Sequence, residues 1–213
     1  MKIVLLIILL IPTIAHSQIY STEEWVARYL SPCVKTRPNH VCFDKTKRSF
    51  KRMIRYKDMM FKYLDEYNLD RWLATIPFIE SEYTEKVASK AGAVGLWQIM
   101  PWNLQYYQTK RWNGINFHYT RKPKRNYAVK QGHNPKVNTE IACKMLKHLY
   151  EKYGREEHET VVRAYNAGET RIDRALKGIG KPLTDETLNY YQQLLALQIL
   201  LDDIVGDNVY KLR

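Results

Sequence analysis

Acidic residues are missing where basic ones crowd. Between Lys86 and Glu140 there is no Asp or Glu, yet the span carries Lys86, Lys90, Lys110, Arg111, Arg121, Lys122, Lys124, Arg125, Lys130 and Lys136. Cysteine is scarce, three in 213 residues, and the six histidines are scattered. No His/Cys spacing matches a metal site, so neither a zinc scaffold nor any cofactor is expected. No internal repeat and no low-complexity linker occurs, which excludes solenoids and arrays. The longest unbroken apolar run, Ile3 to Ile11, is too short to span a bilayer comfortably.

That run follows Lys2 and is itself followed by the small residues Ala15 and Ser17, the pattern of a secretory signal over 1–17 cut after Ser17. No Cys follows it for lipid attachment, so the expectation is an exported chain, periplasmic or secreted, with no transmembrane anchor after cleavage. Cys33 and Cys42 flank a short polar loop, and export favours a disulfide between them. Cys143 lies in a helical pattern and reads as a buried small side chain.

Hydrophobic residues make up 45% and charged residues 26%, in a chain long enough for one domain with a core. Sixteen Tyr and five Trp suit sugar rings and bases alike. The net charge of +12 points to an anionic partner: cell envelope, nucleic acid or membrane. After the signal the chain reads as mainly α. Helices are expected over Thr22–Leu30, Thr46–Tyr67, Arg71 to about Ser81, Thr139–Tyr153, Thr160–Asn166 and Thr184–Asp203. Asp70 is placed to cap the third, and Pro77 should kink or split it. Residues 105–136 read as a basic, aromatic-rich loop, and loops this long are usually functional or mobile.

Four short segments could carry chemistry. Glu80 closes the apolar run LATIPFI; an acid seated there loses hydration, holds its proton near neutral pH and can donate it to a leaving oxygen. A solvent-facing Glu at a helix end is the ordinary alternative, and Glu82 and Glu85 are read that way. In SKAGAVGLWQIMP, glycines permit close backbone approach and Gln98 is a lone polar side chain needing partners. Tyr165 and Asn166 end an apolar helix before Gly168, as ordinary C-termini also do. Glu186 and Tyr190, four apart, share a helix face, as surface pairs also do.

Singly each has an ordinary explanation, but their order matches a family. Glu80-Ser81, then GLWQIMP from Gly95, AYNAG from Ala164 and ETLNY from Glu186 resemble the four motifs of the lytic transglycosylases, the goose-lysozyme-like group that cleaves bacterial peptidoglycan. Within it the chain looks most like the membrane-bound lytic murein transglycosylase D type. The resemblance covers about Ser49 to Asp203. It implies a lysozyme-like single domain, a helical bundle around a glycan cleft, over 49–203, with an N-terminal extension over 18–48 and a tail over 204–213. It implies Glu80 as the single catalytic acid/base. Ser81, Ser89, Gln98, Met100, Tyr165, Asn166, Glu186 and Tyr190 would line the sugar cleft. The implied reaction cuts the β-1,4 bond from N-acetylmuramic acid to N-acetylglucosamine and leaves a 1,6-anhydro end.

The chain departs from the family between Met100 and Asn138, where it is longer and HYTRKPKRNYAVKQGHNPK replaces an acidic stretch. The wall-binding LysM repeats of that type are not among these residues; the basic loop reads either as a cationic patch standing in for them, holding anionic wall polymer or stem-peptide carboxylates, or as a solvated loop giving general adhesion. The expected partner is the peptidoglycan glycan strand, bound by a monomer, with no specific nucleic acid. A hydrolytic muramidase on the same fold, possible on deacetylated strands, is the alternative. A non-catalytic basic protein binding envelope or nucleic acid through 105–136 is the alternative of another class.

Overall fold

The computed structural model describes residues 19–33, 41–108 and 131–205. The signal segment, most of the basic loop and the end of the C-terminal tail lie outside the described residues. Nine α-helices occur among those described: α1 (Thr22–Leu30), α2 (Phe43–Met53), α3 (Lys57–Glu66), α4 (Ile76–Ser81), α5 (Pro101–Gln108), α6 (Pro135–Tyr153), α7 (His158–Ala167), α8 (Glu169–Leu176) and α9 (Asp185–Val205). A 3-10 turn over Arg71–Thr75 leads into α4. Extended pairing among these residues amounts to two antiparallel bridges, Ala88 with Val94 and Val94 with Ile99.

The segment from Trp72 to Ile99 runs through the centre. Trp72, Leu73, Ile76, Leu96, Trp97 and Ile99 are all buried. Ile141, Ala142 and Leu146 of α6, Val161 and Val162 of α7, and Leu194, Leu197 and Leu201 of α9 close over it. In α9 the spacing is three and four, and in α6 Ala142 and Leu146 are four apart, the apolar stripe of a helix that packs on one side.

The helix expected over Thr46–Tyr67 is two helices. The chain breaks at Ile54–Tyr56, where Ile54 is 68% exposed. The two halves serve different neighbours: α2 packs on α1 and α4, and α3 packs on the 3-10 turn and α6. One straight helix could not aim Phe50 and Met53 one way and Met60 and Leu64 the other. Pro77 does split its helix. It falls in the first turn of α4, where its missing N–H has no intrahelical acceptor to lose. Asp70 sits at the expected cap position but makes no side-chain cap, because the first turn there is 3-10.

α6 begins four residues earlier than expected, with Asn134 Oδ1 accepting from the N–H groups of Lys136 and Val137. α5 and α8 fall where no helix is expected, so Gln105–Gln108 of the expected loop is helical.

The residues before α2 belong to the same core. Ser21 and Glu24 close a capping box on α1. α1 then grips α9: Tyr20 N–H donates to Asn189 Oδ1 (2.7 Å), and Tyr29 Oη, 1% exposed as a residue, donates to Gln193 Oε1 (3.3 Å). Cys33 and Cys42 form a disulfide, their Cα atoms 5.0 Å apart. Cys143 is free and buried.

Candidate active site

Glu80 lies in the last turn of α4. The helix stops there because the next two residues are left-handed, Glu82 at φ 49° and Tyr83 at φ 56°. That conformation is unfavourable for residues with a Cβ. It is held by Tyr83, whose buried hydroxyl donates to Ala74 O at 2.9 Å. The turn leaves Glu80 half-buried, with Tyr190 Oη donating to its Oε1 at 2.5 Å. Burial pushes the carboxyl up to about 7; the Tyr190 hydrogen bond pulls it down, and the charge of Glu186 pushes it up again.

The GLWQIMP segment is a tight bridged loop. Gly95 has φ +80°, and a Cβ there would run into the carbonyl oxygen of Gly132 and come within 2.7 Å of Asn138 Nδ2. The loop is clamped from α6. Asn138, fully buried, donates to Val94 O (3.0 Å) and accepts from Trp97 N–H (2.7 Å), and Thr139 Oγ1 accepts from Trp97 Nε1 (3.0 Å). Ser81 Oγ reaches Leu96 O at 2.7 Å, which ties the end of α4 to the same loop. Gln98, left-handed at φ 48°, turns its amide back onto Gly95 O at 2.9 Å, so its partner is its own loop.

α7 and α9 supply the opposite side. Tyr165 Oη donates to Trp97 O at 2.7 Å. Asn166 Nδ2 donates to Glu186 Oε1 at 3.2 Å, and Thr187 Oγ1 donates to Asn166 Oδ1 at 2.9 Å. Tyr190 is fully buried, and burial beside Glu80 drives both the Tyr190 and Tyr165 hydroxyls well above the usual phenol range. Both therefore stay protonated and serve as donors.

Residues 80 and 190 thus pair directly, 81 and 165 both bond carbonyls of the GLWQIMP loop, and 166 pairs with 186, three sets of contacts that frame the site. Ser89 stands outside it: exposed, its hydroxyl accepts from Ala93 N–H at 3.0 Å and braces the 89–93 turn. Met100 is half-buried, and its carbonyl accepts from the first N–H groups of α5. Glu82, read as solvated, is exposed, whereas Glu85, read the same way, is half-buried, and both have partners. Glu82 pairs with Arg52 at 2.9 Å, and Glu85, half-buried, accepts from Tyr56 Oη at 3.2 Å. Sequence reasoning missed Asn138, Thr139 and Thr187, three buried polar residues; buried polar groups require partners, which was the available signal.

A cleft of about 900 Å³ opens between α5, α6, the end of α7 and α8. Glu80 is not among its walls; Tyr165 is, and so joins the cleft to the carboxyl. Among the described residues no group of three His, Cys, Asp or Glu could hold a metal ion, and no helix is long and apolar enough to cross a membrane.

The chain is similar to known proteins. Membrane-bound lytic murein transglycosylase D of Escherichia coli K12 is 31% identical over 144 residues, which cover 63% of this chain and 28% of that protein. This chain therefore spans less than a third of the curated relatives it matches. The crystal structure of the 70 kDa soluble lytic transglycosylase of E. coli superposes with a TM-score of 0.56 at 24% identity, over 73% of this chain and 25% of that one. An inactive mutant of the lytic transglycosylase Slt of Pseudomonas aeruginosa gives 0.55 at 21%, over 73% and 25%. These two likenesses establish the lysozyme-like fold. The sequence pattern of the Transglycosylase SLT domain matches residues 58–187, more than half of the chain, and the protein belongs to that family.

Proposed function

We propose that this chain is a peptidoglycan lytic transglycosylase, cutting the β-1,4 bond from N-acetylmuramic acid to N-acetylglucosamine with Glu80 as its single acid and base. The observation that carries the reading is the Glu80 carboxyl, shifted to about 7 by burial and held by Tyr190 at 2.5 Å. Near neutral pH such a group exists in both protonation states, as one residue serving twice requires. It first gives its proton to the departing N-acetylglucosamine oxygen as the glycosidic bond breaks. The sugar's own N-acetyl group helps to stabilise the positive anomeric carbon. The carboxylate, its charge accepting the Tyr190 proton donor, then removes the proton of the muramic acid 6-hydroxyl, whose oxygen closes onto that carbon. The products are a free 4-hydroxyl and a 1,6-anhydro ring, and no water is consumed.

Glu186 supports the single-carboxyl reading. An inverting hydrolase needs a second carboxylate free to activate water. Glu186 instead accepts the Asn166 amide, and its charge acts by raising Glu80. Ser81, Gln98, Met100, Tyr165, Asn166, Glu186 and Tyr190 shape the glycan site, with Ser89 at its margin. The protein acts as an exported monomer, and the basic segment within 105–136 holds anionic wall polymer. Mass spectrometry of soluble fragments from purified peptidoglycan tests the reading. Anhydro-ended fragments from the wild type, absent with Glu80→Gln, are expected. Reducing-ended fragments would make the protein a muramidase, and no fragments would favour a binding protein.

A further inference from the structure

The turn that ends α4 decides where Glu80 stands, and it has a conformation that its own residues disfavour. Glu82 and Tyr83 both carry a Cβ, and both are left-handed. Their N–H groups close the helix end by donating to Phe78 O and Pro77 O, each at 3.1 Å. A left-handed residue of this kind is disfavoured about tenfold against its right-handed form. With Glu82 right-handed, α4 would run on past Ser81. The chain could not then turn back to bury Tyr83 or to place Leu96 O under Ser81 Oγ, the two supports of the last turn of α4. Tyr83 has its own hold in Ala74 O. Glu82 is held from another helix, by Arg52 of α2.

Arg52 Nε donates to Glu82 O at 2.6 Å, and its Nη2 donates to Glu82 Oε2 at 2.9 Å. The same Nη2 reaches Oγ of the buried Ser49 at 3.3 Å, so the guanidinium is itself anchored on α2. One planar group thus takes both the backbone and the side chain of a single residue, which fixes the direction of that carbonyl and with it the turn. A lysine has no such fork. The pair is partly exposed and adds little to overall stability; what it contributes is position, two residues after Glu80. Four residues on, Tyr56 Oη donates to Glu85 Oε2 at 3.2 Å, and from the start of α6 His133 Nδ1 lies 3.1 Å from Glu85 O. Arg52 and Tyr56 both precede residues 58–187, the span of the family pattern. We propose that Arg52 is a positioning residue for Glu80: from α2 it locks Glu82 left-handed, with Tyr56 holding Glu85 behind it, and so sets the carboxyl against Tyr190. The proposal rests on the reading of Glu80 as acid and base, and its test separates the two.

The experiment compares the full chain with Arg52→Ala, Arg52→Lys, Arg52→Ala/Glu82→Gly and, as a matched control, Arg71→Ala, whose fork to Asp65 is equally short. Each is assayed on purified peptidoglycan across pH, and its melting temperature is recorded. Arg52→Ala should show a kcat about tenfold lower with KM nearly unchanged, the penalty of one unsupported left-handed residue. The alkaline limb of its pH–rate profile should move to lower pH, because a carboxyl loosened from its seat regains water. Arg52→Lys should behave like Arg52→Ala. The double variant should recover the rate, since glycine is left-handed without a clamp, and Arg71→Ala should match the wild type. A rate lowered evenly at every pH, in step with the melting temperature, would reduce Arg52 to a structural role and overturn the proposal. So would full activity of Arg52→Ala, or a double variant no faster than the single one. NMR titration of the Glu80 carboxyl carbon, assigned by its loss in Glu80→Gln, reads the same shift without turnover. Walls left uncut by the wild type would therefore overturn the catalytic reading, while the clamp stands or falls on that titration.

Discussion

Replacing Glu80 by Gln should stabilise the protein, and by an amount that depends on pH. The carboxyl titrates at about 7 in the folded chain against an ordinary value of 4.5. It therefore binds its proton more tightly folded than unfolded. Folding holds that advantage in full below about pH 4.5 and loses it as pH rises through 7, at roughly 1.4 kcal/mol per pH unit between the two values. The total is about 3 kcal/mol. Gln keeps the oxygen that accepts from Tyr190 and cannot ionise, so it carries no such loss. Thermal unfolding of wild type and Glu80→Gln at pH 4.5, 6, 7 and 8 measures the difference directly. The two should differ little at pH 4.5, and the variant should melt about 6–10 °C higher at pH 8, given the usual shift per kcal/mol in a chain of this size. The many other titrating groups are common to both proteins and cancel. A melting difference that is flat across pH would refute the desolvated carboxyl, whatever the activity of the variant.

Tyr190→Phe removes the donor that holds the ionised form of Glu80; the alkaline limb of the pH–rate profile should move upward and the rate fall on the order of tenfold. Gly95→Ala puts a Cβ against Gly132 and Asn138 at a left-handed position, so urea unfolding should show a loss of about 2–4 kcal/mol. Asn138→Ala strands the buried Trp97 N–H and removes one of two donors to the Val94 carbonyl, which keeps Ile99 N–H; a loss of about 1–3 kcal/mol is expected, with activity falling further than stability explains. Reduction of Cys33–Cys42, which closes a short loop, should cost about 2–3 kcal/mol by loop entropy, read as a lower urea midpoint.

The frame of the site was legible because its motif residues are chemically conspicuous: a Glu after seven nearly apolar residues, a Gln between Trp97 and Ile99, a Tyr-Asn pair at a helix end. What held them was not legible. Thr139 reads as the start of an amphipathic helix and Asn138 as the residue before it, and nothing local says that their side chains reach back more than 40 residues to Val94 and Trp97. α5 was missed because PWNLQYYQ spreads polar and aromatic residues around every face; burial of Leu104 and Tyr107 makes it a helix. α8 was missed because it is eight residues long and buries Ile172 alone; α7, on which it packs, holds it. Periodicity across Thr46–Tyr67 continued through a break that exists so that its halves can face different partners. Tertiary contact decided each of these cases, over local preference.

The carboxyl and its hydroxyl partner stand 110 positions apart in the chain, and the N-terminal helix grips the last one across separations of 164 to 170. Contacts of such long range form late, after loop closure has been overcome. No fragment that stops before α9 contains a finished site, and a chain emerging N-terminus first exposes Glu80 long before Tyr190 arrives. The site is thus withheld until the whole domain has closed, and the first appearance of the proposed bond cleavage should report the completion of folding.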